Sequence, residues 1–60
     1  MPTNLVGKIV DIKGTNDYGI ITYYDGEDYH IVLHCKDLET AKSYSSMLYS
    51  RDEFIVKKEC

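Results

Sequence analysis

The sequence predicts a small, partly open β-barrel with one helix, an α+β chain in the order β-β-β-α-β that folds as a single domain over residues 1–60. Short runs rich in β-branched and aromatic residues recur through the first 35 positions, separated by Gly, Asn and Asp turn chemistry. From Asp37 the apolar spacing becomes that of a helix, and beyond Arg51-Asp52 a last short run alternates again. A chain of this size buries only about 60% of the surface its unfolded form exposes, which leaves no room for a deep catalytic cleft beside a core. The charged share of 28% and apolar share of 43% belong to a folded chain, not to a disordered tail.

Leu5 to Lys13 (LVGKIVDIK) reads as the first strand. Ile9 and Ile12 lie three apart, so placing both in the core requires a bulge or bend between them. Gly14 to Asp17 is a turn, and Tyr18 to Tyr24 is the second strand. Asp25-Gly26 tolerates the positive φ that tight hairpins demand, which sets the third strand at Tyr29 to Cys35. Period two puts Tyr29, Ile31 and Leu33 on the expected core face and His30, Val32 and His34 on the other. Leu38, Ala41, Tyr44 (or Ser45) and Leu48 then recur at helical spacing. Asp37 is the N-cap and Glu39 sits in the first turn, giving a helix over about 37–49 that the serines at 43, 45 and 46 weaken. The last strand is Glu53 to Lys58, with Phe54 and Val56 on one face and Ile55 on the other.

A helix after the third strand is the arrangement of OB-type barrels, and one strand of such a barrel is missing from this reading. The resulting open edge invites a partner strand or a homodimer. An SH3-like barrel is the alternative, because the strand-turn-strand rhythm fits it as well.

Gly7-Lys8-Ile9, Tyr18-Gly19-Ile20-Ile21, Asp25-Gly26 and Asp28 resemble the cold-shock domain, whose first strands read G-K-V-K-W-F-N, K-G-[FY]-G-F-I and, after an acidic Gly turn, D-V-F-V-H-F. The spacing from Gly-Lys to Tyr-Gly is the same, and the likeness covers residues 7 to 33. The resemblance implies a barrel that stacks single-stranded RNA or DNA on an aromatic platform. That platform falls here on Asp11, Tyr18, Ile20, His30, Val32 and Leu33, of which only Tyr18 is preserved in kind. Each lost stack removes about 1–3 kcal/mol per base. Asn16 and Asp17 also replace the motif's Lys and Gly. The fold-making parts persist: the turns, Ile9, Ile12 and Ile21, and Gly19 where strands pack closely.

The net charge of −3 falls on the first half, where Lys8 and Lys13 face Asp11, Asp17, Asp25, Glu27 and Asp28. That sign is opposite to the one nucleic-acid faces carry. The expected function is therefore that of a non-catalytic regulatory module docking on a larger protein of the transcription, RNA-processing or defence machinery. The alternative is weak single-stranded RNA or DNA binding. The candidate partner face is Tyr18, Ile20, His30 and Val32, with Tyr23 and Lys8 beside it, because barrel register would leave these side chains exposed. No catalytic residues, metal site or cofactor are expected: His30 and His34 lie about 13 Å apart on a strand, and His34 and Cys35 point to opposite faces. Two cysteines make no disulfide framework, and no leader or membrane-spanning run is read, so a reducing cytoplasmic setting without membrane contact is expected.

Overall fold

The computed structural model describes residues 5–57. They form a five-stranded antiparallel sheet curled into a half-barrel, with one short helix. The elements are β1 (Ile9–Ile12), β2 (Tyr18–Tyr24), β3 (Tyr29–Leu33), α1 (Leu38–Ala41), β4 (Met47–Tyr49), a 3₁₀ turn (Arg51–Glu53) and β5 (Phe54–Val56). Across the sheet the order is β4-β3-β2-β1-β5. Among the described residues no helix is long and apolar enough to cross a membrane.

Alternation divides the sheet into two faces. On the first, Val10, Ile12, Ile21, Ile31 and Phe54 form the main core, with Leu5, Val6, Tyr29, Leu33, Tyr49 and Val56 packed around it. On the second, Ile20 and Val32 lie with Cys35 and Ala41 in a smaller cluster completed by Ile9 and Leu38. Ile9 and Ile12 therefore belong to different faces, and β1 pairs with β2 without the expected bulge. The irregularity lies instead in β2. There Ile21 pairs with Ile31 and Tyr23 with His30, leaving Thr22 as an extra residue whose Oγ1–H donates to His30 O at 3.2 Å.

Gly19 is fixed by close approach: a Cβ built there would fall 2.5 Å from Val32 O and 2.8 Å from Ile31 Cγ2. The second hairpin closes through the four residues 25–28, as the expected strand bounds leave it. Asp25 Oδ1 accepts from the N–H groups of Glu27 and Asp28 at 2.9 and 2.8 Å, and Gly26 takes a φ of +101°.

The expected helix over 37–49 is corrected to α1 alone. Asp37 is its N-cap, with Oδ2 accepting from Thr40 N–H at 3.1 Å and Thr40 Oγ1–H at 2.8 Å. After Ala41 the serines at 43, 45 and 46 offer local hydrogen bonding that competes with the helix. Met47, Leu48 and Tyr49 pair with Ile31, His30 and Tyr29 instead. This is the strand that the sequence reading lacked. The last strand is shorter than the expected Glu53 to Lys58: it begins at Phe54, because Arg51–Glu53 is wound as a 3₁₀ turn, ends at Val56, and sets Phe54 and Val56 on the face opposite the exposed Ile55 as alternation expects. Lys58 and Cys60 lie outside the described residues.

Candidate functional site

Register brings the predicted partner residues onto one face. Cross-strand pairs place Leu48, His30 and Tyr23 in one row, Val32, Ile20 and Ile9 in the next, and Tyr18 and Asp11 with Ile55 in a third. The middle row is not a surface. Ile20 and Val32 are 2% and 4% exposed, because Leu38, Ala41 and Cys35 pack on them, so the expected exposure of these two residues is corrected. A helix of four residues is enough to bury both, since each presents one branched side chain to it. Lys8 stands exposed ahead of β1, where its carbonyl accepts from Ile21 N–H, and it joins neither of the flanking rows. Leu33 faces the main core instead of the platform implied by the cold-shock resemblance.

What remains of the face is two flanks, each built from a Tyr, a His and an Asp. On one, the His30 ring packs edge-on against Tyr23 with centroids 5.2 Å apart, and its Nε2 lies 3.2 Å from Asp25 Oδ2. Ser46 Oγ lies 3.4 Å from the other ring nitrogen. Main-chain N–H groups of Asp28 and then Glu27, with His30 beside them, hold the Asp25 carboxyl below the ordinary carboxylate range. Tyr24 turns to the opposite face, stacks on Tyr29 at 4.3 Å, and donates its O–H to Gly26 O at 2.9 Å. The hairpin tip is thus held from both sides.

On the other flank, His34 takes a φ of +59°, left-handed backbone that few non-glycine residues adopt. That geometry turns its Nε2 to 2.9 Å from Asp17 Oδ1 and its ring to 5.6 Å from Tyr18. Lys36 Nζ lies 5.2 Å from the Tyr18 ring centroid. The Tyr18 ring thus has a tilted imidazole and an ammonium group as neighbours.

A cleft of about 590 Å³ lies between the end of β3 and the segment that follows α1, lined among others by Val32, Leu33, Cys35, Tyr44 and Met47. Cys35 is buried and its S–H donates to Asp37 O at 3.3 Å, while the neighbouring His34 is engaged with Asp17. Among the described residues no three of His, Cys, Asp and Glu gather as a metal site.

Asp17, Asp25, His34 and Leu48 were not among the candidate partner residues, although period two put His34 on the same strand face as His30 and Val32. The two aspartates had a signal in their turn positions, which put a carboxylate at the mouth of each hairpin. Leu48 had none, because its spacing from Ala41 is also that of a helix. Comparison of the chain with protein families, with curated proteins and with solved structures finds no match.

Proposed function

We propose that this protein is a non-catalytic binding module that docks on a larger protein through the row Tyr23, His30 and Leu48. One observation carries the reading: Tyr23 and Leu48 are 57% and 58% exposed and flank His30 on a hairpin whose tip is pinned by Asp25. Exposed aromatic and aliphatic side chains on a rigid scaffold lose little entropy on binding, and Tyr anchors are enriched at interface centres. Asp25, Glu27 and Asp28 rim the row, which suits a partner with an apolar pocket and a basic border.

The burial of Ile20 and Val32 interrupts the strip on which successive bases would stack, and acidic side chains meet both histidines. Both features support protein over nucleic acid. Tyr18 with Lys36 above its ring is what favours the second reading, weak single-stranded binding. Of the two barrel readings, the SH3-like one is supported by a meander of four neighbouring strands whose fifth returns beside β1 after a single 3₁₀ turn.

The test is a pull-down from cell extract with wild type against Tyr23→Ala, followed by identification of what is retained. A retained protein that Tyr23→Ala releases supports the proposal, and equal recovery counts against this row. Titration with labelled RNA and DNA oligonucleotides at low salt separates the alternative. Binding that weakens as salt rises and falls with Tyr18→Ala would replace the proposal with the second reading.

A further inference from the structure

The two edges of the sheet are unequally protected. Hydrogen bonds from His34 N–H to Tyr18 O and from Ile21 N–H to Lys8 O fix the alternation of the ladder. Even-numbered residues of β3 turn their main-chain groups to β2, and odd-numbered ones turn theirs to β4. Met47 and Tyr49, opposite Ile31 and Tyr29, are thus bonded inward, and Leu48 turns its N–H and C=O outward. Ser46 has the same parity and makes no main-chain hydrogen bond among the described residues. The edge stops at Ser50, whose N–H donates to Glu53 Oε1 at 2.9 Å and whose carbonyl accepts from Glu53 N–H at 2.9 Å.

Charge follows the same division. Arg51, Asp52, Glu53 and Lys57 flank β5, the usual guard of an exposed edge. Residues 43–50 carry no charge, no Pro and no Gly, and Met47 and Leu48 are 53% and 58% exposed. Lys42 precedes this neutral stretch, and Arg51, Asp52 and Glu53, one positive and two negative charges, follow it, leaving that end net acidic. An antiparallel second copy therefore sets the basic end of each stretch alongside the acidic end of the other.

We infer that a second copy of this chain pairs antiparallel along β4, with Ser46 opposite Leu48 of the second copy and Met47 opposite its own counterpart on the two-fold axis. This register uses all the outward main-chain groups of Ser46 and Leu48, and none of those that Glu53 already holds. It shares Leu48 with the row proposed above, but Tyr23 lies two strands in from the edge and Met47 is outside that row, so Tyr23→Ala tests the docking row and the Met47 variants test the edge. A strand of three residues buries less than the roughly 800 Å² per partner of a standard interface, so association is weak and concentration-dependent.

Sedimentation in reductant from about 10 µM to about 1 mM reads it directly. The expected result is a rise from one chain mass toward two. Met47→Lys and Met47→Glu each remain single chains throughout, because they set like charges on the axis, and an equimolar mixture recovers association. Leu48→Pro removes an outward N–H and no inward ladder bond, so it weakens association at least tenfold with the circular dichroism of the fold unchanged. A wild type that stays single up to the highest concentration overturns the inference, as does association of either Met47 variant alone at wild-type strength.

Discussion

The two faces of this sheet are buried by different means. Val10, Ile12, Ile21, Ile31 and Phe54 meet across a sheet that curls over them, so every strand but β4 contributes to that buried cluster, and β4 packs Tyr49 beside it. Ile20 and Val32 are covered by Leu38 and Ala41 of a single helical turn and by Cys35. The first face is closed by the topology itself. The second depends on a small lid held by the Asp37 cap. A surface that reads as a binding platform can thus be covered by four residues, leaving only its margins exposed.

The largest disruption of this contrast is Phe54→Ala, which should destabilise by about 3–5 kcal/mol. With a stability margin as thin as 60 residues provide, loss of cooperative thermal unfolding at 25 °C is the expected outcome, read by circular dichroism. Gly19→Ala should follow at about 1–3 kcal/mol, since its Cβ meets the Val32 carbonyl, a backbone atom of the neighbouring strand that cannot step aside. Val32→Ala, on the helix-covered face, removes two methyl groups and should lower stability by about 2 kcal/mol, visible as a shifted urea midpoint. A wild-type midpoint there would show that the lid contributes nothing.

The smallest effect concerns acid. Contacts made only in the folded state hold the Asp25 carboxyl below its ordinary value of 3.8, so its contribution is present above that pH and is lost as pH falls through the folded value. Asp25→Asn should flatten the acid limb of the stability profile below about pH 4 and leave the neutral region nearly parallel to wild type. An unchanged acid limb would assign the hairpin's rigidity to Gly26 and the Tyr24 hydrogen bond alone.

Much of this was legible in the sequence. The bounds of β2, the start of β3 and the Asp25-Gly26 turn follow from alternation and turn chemistry, and the Gly19 packing site and Asp37 cap stand where the residue types put them. β4 was hidden because Ala41 and Leu48 lie seven apart, a separation shared by two helical turns and by a helix followed by a strand. The burial of Ile20 and Val32 was hidden because period two identifies residues that share a face without telling whether a later segment returns to cover it. Tyr18, Tyr23 and His30 share one face of the sheet as alternation expects, but the contacts of His34 with Asp17 and of His30 with Asp25 come from hairpin geometry that only the register fixes.

Strands keep inside and outside separate by parity, so gaining or losing one residue in mid-strand ordinarily exchanges the two. The extra Thr22 in β2 suspends that rule locally: Tyr23 still pairs with His30 and Tyr24 with Tyr29, as they would in a chain one residue shorter. The outer part of the hairpin is thereby decoupled from the count of residues beneath it. Removing Thr22 would straighten the ladder while each tyrosine kept its side, which makes position 22 a point where length can drift without transposing core and surface.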